Sequence, residues 1–293
     1  LKRRNRWGVT LFDLRDYYLS SGGFNGDSRQ SQRNSGAEFL AQFPIDRYYR
    51  VDASFTASDT AQDIFVGYST DATGFTVTDF ETANNQFLTF RTSLVGDTTR
   101  FQSFGPFQGK RFELGVTYGL NLGGDVPGNV LQYQLDFRAY KQLTRRSVLA
   151  FRTVGIVNTG SRDVFYGVGG LNTLRGYDFR DFYGSNVAGA NLELRFPFVD
   201  ELRFPFGPIR NIRVVVFLDA GTAWLPNDQF FDPDLQFVRA QPNPNGTYTN
   251  IPFSWWNGAN GEMQDLRATW GVGFQMYLIG GLQFNWCWAK RLP

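Results

Sequence analysis

The chain has 293 residues, 42% of them hydrophobic and 19% charged, with a formal net charge of +2; these figures exclude a disordered charged tail and give no electrostatic footprint for nucleic acid. Histidine is absent and Cys287 is the sole cysteine, which excludes histidine acid–base chemistry, an intramolecular disulfide and a zinc site built on Cys and His ligands. The 30 phenylalanines and 32 glycines against 2 methionines suit strands better than helices.

From the start, Lys2-Arg3-Arg4 has no apolar segment behind it of signal-peptide length, so the chain reads as an internal cut from a longer one. Candidate strands then fall near 7–19, 36–43, 48–57, 62–69, 86–95, 98–104, 111–122, 130–142, 147–158, 187–197, 212–224, 266–278 and 281–290, about thirteen, with 70–86 ambiguous. Period-two alternation carries the assignment. Tyr49, Val51, Ala53 and Phe55 oppose Arg50, Asp52, Ser54 and Thr56. Phe112, Leu114, Val116, Tyr118, Leu120 and Leu122 oppose Glu113, Gly115, Thr117, Gly119 and Asn121. Leu131, Tyr133, Leu135, Phe137 and Ala139 follow the same rule, as do Leu192, Leu194 and Phe196. Leu266 to Met276 and Leu282 to Trp288 close the series, with Cys287 on the non-apolar face. The longest uninterrupted apolar run, Val214 to Leu218, is far short of the roughly 18 residues of a membrane-crossing helix.

A soluble sandwich also alternates, but its strands average about five to six residues, whereas these reach roughly ten, the length of a tilted membrane strand. The face opposite the apolar rows is rich in Gly, Thr, Asn and Gln, as a wet lumen would be, and the apolar rows hold no Lys or Arg, which would cost about 2–4 kcal/mol at mid-bilayer. The expectation is an all-β fold, a transmembrane antiparallel β-barrel. Short connections at Pro44–Arg47, Leu143–Arg146 and Ile279–Gly281 alternate with long polar ones at Ser20–Ser35, Asn158–Asn186 and Leu225–Asp265, giving short periplasmic turns and long outer loops. The connection 197–211, on the short-turn side, is longer than this pattern wants.

The outer loop 158–186 holds Gly167-Val168-Gly169-Gly170-Leu171-Asn172-Thr173-Leu174-Arg175-Gly176-Tyr177. A glycine-rich stretch with an arginine suggests phosphate contact, but no strand-to-helix context follows it. Alternation puts Glu193 and Asp219 on the lumen side of neighbouring strands, and a loop folded inward could bring Arg175 between them. A guanidinium binds one carboxylate bidentately and still donates to another. The bland alternative is a solvated loop arginine. Asp232-Pro233-Asp234 as a calcium loop and Asn245-Gly246-Thr247 as a glycosylation triplet are weaker candidates, each read first as a turn. Trp255 and Trp256 read as packing a loop cap, and the other tryptophans include interfacial girdle members.

Leu174-Arg175-Gly176-Tyr177 resembles the Val/Leu-Arg-Gly-Phe/Tyr signature of the sixth extracellular loop in the BamA and TamA family of outer-membrane assembly barrels, the bacterial surface antigen superfamily. Glu193-Leu194-Arg195-Phe196-Pro197 and Phe217-Leu218-Asp219-Ala220-Gly221-Thr222-Ala223-Trp224 resemble that family's next two strands. The specific similarity covers about 165–290; earlier residues match only in barrel pattern. It implies one outer-membrane barrel domain over residues 1–293, with about 13–14 of sixteen strands here and an upstream periplasmic domain and closing strand missing. It implies a lumen-anchored motif of Gly169, Gly170, Leu174, Arg175, Gly176 and Tyr177, with Glu193 and Asp219 as carboxylate partners. It further implies an insertion factor for nascent β-barrel clients, in the bacterial outer membrane, working through a lateral seam. No bond chemistry, catalytic residue, metal or cofactor is expected. The partners expected are the outer-membrane lipid bilayer, the clients, and accessory outer-membrane or periplasmic subunits. A protein-secretion pore of the same superfamily and a passive porin or surface anchor are the alternatives.

Overall fold

A computed structural model describes residues 5–20, 28–70, 76–102, 105–162, 164, 166–204, 207–224, 240–242, 248–250, 256–257, 262–263, 265–277 and 283–292. Its strands are β1 (Arg6–Ser20), β2 (Ser28–Pro44), β3 (Tyr49–Thr70), β4 (Thr76–Asp97), β5 (Arg100–Gln102) and β6 (Gly105–Gly124). Then come β7 (Val130–Gln142), β8 (Val148–Asn158), β9 (Tyr166–Val168), β10 (Phe182–Gly184), β11 (Asn186–Phe204) and β12 (Gly207–Trp224). The short β13 (Ala240–Pro242), β14 (Tyr248–Asn250), β15 (Trp256–Asn257) and β16 (Glu262–Met263) precede β17 (Arg267–Tyr277) and β18 (Gln283–Arg291).

One antiparallel sheet of 12 strands dominates, in the order β1-β2-β3-β4-β6-β7-β8-β11-β12-β17-β18, with β5 paired to β6 off this path. Every step on the path joins chain neighbours or skips a short loop strand, so the sheet is an up-and-down meander. Among the described residues no ladder joins β1 to β18. The thirteen candidate segments become twelve strands because 48–57 and 62–69 form one strand, β3, paired with β4 from Tyr49↔Gly96 to Thr70↔Thr76. Within the ambiguous stretch 70–86, residues 76–86 belong to β4. At 22 residues each, β3 and β4 exceed the roughly 9–11 residues a membrane strand needs. Between its two halves β3 carries Ser58-Asp59-Thr60-Ala61-Gln62, which lacks apolar alternation, and the backbone pairing with β4 persists through it.

The connection at 197–211 also resolves into strand. β11 continues past Pro197 through a bulge between Pro197 and Val199 and pairs with β12 as far as Phe204↔Gly207. A bulge is where a strand tolerates proline, which lacks a ladder donor.

Side-chain direction follows the alternation. In β6, Leu114, Val116, Tyr118 and Leu122 are exposed, whereas Gly115 and Gly119 are buried. In β12, Val216 and Leu218 are exposed while Val215, Phe217 and Asp219 between them are buried. Trp270, Trp286 and Trp288 also lie on the exposed apolar face, Trp270 and Trp288 edge to face with ring centroids 5.7 Å apart. An exposed apolar belt of this extent marks a surface made for a non-aqueous neighbour. The opposite face, termed inner here, carries the loop between β8 and β11. Asp232, Asp234, Asn245 and Trp255 lie outside the described residues, as does the side chain of Trp256.

Candidate functional site

β9 and β10 pair as a small hairpin, Tyr166↔Gly184 to Phe182↔Val168, whose tip is the motif loop. The loop turns on itself. Gly170 N–H donates to the Tyr177 carbonyl at 3.1 Å, and Thr173 Oγ1 accepts from Gly169 N–H at 2.9 Å while donating to the Gly169 carbonyl at 2.8 Å. Gly169 and Gly176 adopt φ of 132° and 89°, conformations that side chains disfavour.

Each residue of the tetrapeptide meets its own receptor. Leu174 is fully buried in a cluster with Val168 and Val187, flanked by Ile156, Tyr166, Tyr177 and Ala223. Gly221 of β12 lies beside it: a Cβ there would stand 3.8 Å from Leu174 Cδ1, in ordinary van der Waals contact. Two residues back along the inner face, Asp219 receives Arg175 bidentately, Nε to Oδ2 and Nη2 to Oδ1, both at 2.6 Å. Two further back, the Phe217 ring lies 3.7 Å from Arg175 Cζ, a cation–π stack. Gly221, Asp219 and Phe217 are thus consecutive inward positions of one strand, a ladder shaped to Leu174 and Arg175.

The third guanidinium nitrogen, Nη1, reaches Glu193 Oε1 at 2.7 Å. In the β11–β12 ladder Glu193 pairs with Phe217 and Asn191 with Asp219, so the two carboxylates are diagonal neighbours, a spacing of about 7–8 Å that one guanidinium can bridge. Arg195 binds the other oxygen of Glu193 at 2.6 Å. Asn191 Nδ2 donates to both Asp219 Oδ1 and the Thr173 carbonyl, each at 2.9 Å. Two arginines against two carboxylates leave the cluster neutral, as burial demands. Only 12% of the Arg175 side chain and none of Asp219 is exposed. Burial opposes the charge of Arg175, but the hydrogen bond to Asp219 and the charge of Glu193 outweigh it and hold its pKa above the ordinary arginine value.

The C-terminal half of the motif touches β17 and β18. A Cβ on Gly176 would come within 2.9 Å of Ala289 Cβ and 3.3 Å of Thr269 Cγ2. Arg291 Nε donates to the Gly176 carbonyl at 2.9 Å, and its Cζ sits 4.2 Å from the Tyr177 ring centroid. Arg152, which also pairs with Asp136, reaches the Asn172 carbonyl at 3.3 Å.

The structure therefore brings Arg175, Glu193 and Asp219 together and gathers Gly169, Gly170, Leu174, Gly176 and Tyr177 around them. Phe217, Asn191, Arg195, Arg152 and Arg291 are site residues that sequence reasoning missed. Phe217 shares the parity of Asp219, and Arg291 that of Cys287, which was the available signal. Beneath the loop a cavity of about 360 Å³ is lined by Arg138, Arg152, Arg175, Arg195, Glu193 and Cys287 among others. Among the described residues no group of three or more Cys, Asp or Glu could hold a metal ion. The arrangement fixes the loop to β8, β11, β12, β17 and β18.

Comparisons with known proteins follow the same lines. The family model described as the Omp85 superfamily domain matches residues 1–291. Among solved structures, the crystal structure of BamA from Haemophilus ducreyi lacking POTRA domains 1-3 has a TM-score of 0.66 at 16% sequence identity, over 98% of this chain. The chain spans 56% of the length of that one, and the likeness shows the fold. No curated protein matches the sequence.

Proposed function

The chain belongs to the Omp85 superfamily, and on that premise we propose that it is the barrel domain of a bacterial outer-membrane factor that helps β-barrel clients insert and fold. The observation that carries this reading is the clamp of Arg175 on Asp219 and Glu193, together with the contact of Arg291 with Gly176. Through these the loop ties β11 and β12 to β18, the last strand described. In this reading a weakly paired seam offers unpaired backbone donors and acceptors, and a client strand adds to them by β-augmentation. The loop's work is to hold the strands beside that seam in a fixed register while a client pairs. The reaction exchanges backbone hydrogen bonds and makes or breaks no covalent bond. The partners in this reading are the lipid bilayer, unfolded β-barrel clients and the subunits that deliver them.

A protein-secretion pore of the same superfamily is the other reading. It requires the loop to leave the inner face, which the fully buried Asp219 and Leu174 oppose. The discriminating experiment reconstitutes the chain, with its native flanking sequence, into liposomes and supplies a chaperone-held unfolded barrel client. Client folding that exceeds protein-free liposomes and drops at least about tenfold for Arg175→Ala supports the assembly reading. Client folding equal to protein-free liposomes overturns it.

A further inference from the structure

At the short-turn end, two neighbouring strands finish their outward rows in the same way. In β6 the row Tyr118, Val116, Leu114, Phe112 ends on Lys110; in β7 the row Tyr133, Leu135, Phe137, Ala139 ends on Lys141. The turn from β7 to β8, Leu143-Thr144-Arg145-Arg146, adds the exposed Arg145 four residues on from Lys141. Lys110 pairs with Ala139, two residues before Lys141, and Lys141 pairs with Leu149. The two lysines are thus diagonal cross-strand neighbours, about 7–8 Å apart at the backbone. Like charges at that spacing repel unless an anion lies between them.

All three residues are exposed. Among the described residues their charged groups make no ion pair or hydrogen bond. The inward arginines at this end are different: Arg111 pairs with Asp97 and Arg138 with Asp136. The uncompensated charge therefore lies on the face that meets lipid, just past the last apolar residue. Phe101 and Leu143, both strongly exposed, flank it with apolar surface. Basic groups on long stems beside apolar side chains form a membrane-interface arrangement, the stem in hydrocarbon and the charge among headgroups.

We propose that Lys110, Lys141 and Arg145 form a binding site for the phosphodiester headgroup of an anionic phospholipid in the leaflet at the short-turn end of the barrel. One headgroup phosphate set between Lys110 and Lys141 relieves their mutual repulsion, and Arg145 supplies a planar pair of donors. The acyl chains then lie along Phe112, Leu114, Phe137 and Leu135. The site rests on the orientation of the apolar rows and is independent of any assembly activity.

The test reconstitutes the full chain into vesicles of phosphatidylcholine with one-fifth phosphatidylglycerol. The folded protein is extracted in mild detergent, and the co-purifying lipids are quantified by mass spectrometry. The ratio of phosphatidylglycerol to phosphatidylcholine is expected at least about fivefold above its bulk value, the factor roughly one well-placed cation supplies. Lys110→Gln/Lys141→Gln/Arg145→Gln should fall to the bulk share, and Lys110→Arg/Lys141→Arg should keep the enrichment. The single Lys141→Gln should lose part of it, which serves if the triple variant does not fold. No enrichment in the native chain overturns the site, as does enrichment the Gln variants retain. Loss of enrichment in 50 mM inorganic phosphate but not in sodium chloride of equal ionic strength is expected of a site that grips the headgroup phosphate, and equal loss in sodium chloride would overturn it.

Discussion

Arg291 of β18 donates its Nε hydrogen to the carbonyl of Gly176 at 2.9 Å, one residue from the arginine that grips Asp219 on β12. A single tetrapeptide therefore spans β17 and joins two strands that do not pair with each other. Hydrogen bonds along the ladders set neighbours only; this contact sets β18 against β12 through the loop.

Gly176→Ala should detach that half of the motif. The φ of 89° strains any side chain, and the added Cβ would meet Ala289 Cβ at 2.9 Å. The strain alone is worth about 1–3 kcal/mol. Faster proteolysis of the loop in the intact, membrane-inserted protein is the expected outcome, with the heat-modifiable migration of the folded barrel retained. Unchanged proteolysis would show that the loop does not pack on β18.

Arg175→Lys should also fail. An ammonium cannot reproduce the paired bonds to Asp219 while still reaching Glu193. Alanine leaves a buried carboxylate uncompensated, a loss of about 3–5 kcal/mol, and lysine keeps the charge but leaves buried acceptors unfilled, about 1–3 kcal/mol, each read as a lower midpoint of thermal unfolding in detergent. A lysine variant at native stability would mean the bidentate geometry is dispensable.

Much of this arrangement was legible in the sequence, and the limits have physical causes. Parity alone puts Glu193 and Asp219 on one face, because one strand residue in two points inward. The apolar run Val214 to Leu218 hides that parity, since β12 carries apolar residues on both faces. Its outward residues are exposed apolar surface, and Val215 and Phe217 are buried on the face that carries the loop. The joined β3 reads as two strands in the sequence because Ser58-Asp59-Thr60-Ala61, between the two segments, shows no apolar alternation. The role of Arg291 was invisible because it depends on how far a loop 115 residues away reaches across the sheet.

Leu174→Ala should destabilise the loop independently of charge. The side chain is fully buried against Val168 and Val187, and truncating such a leucine costs about 2–5 kcal/mol. Its effect should not depend on salt concentration, whereas surface ion pairs weaken with salt. An effect below about 0.5 kcal/mol in the thermal midpoint would place Leu174 outside the packed cluster.

The two faces of β6 should respond in opposite ways to charge. Val116→Arg puts a guanidinium on the exposed apolar row and should cost about 2–4 kcal/mol of insertion stability near mid-bilayer. Thr117→Arg, on the opposite face, should cost far less. The comparison is made by reversible unfolding from liposomes in guanidinium chloride. Equal penalties would contradict the assignment of faces.

The most direct measurement is a double-mutant cycle between Arg175 and Asp219 in the folded chain, with Arg175→Ala, Asp219→Ala and both together compared by thermal unfolding. A loop clamped through these two residues predicts a coupling of about 1–3 kcal/mol, the double variant losing far less than the sum of the singles. Additive losses, within about 0.3–0.5 kcal/mol, would mean that Arg175 does not bear on Asp219 and that the loop is not held to the inner face.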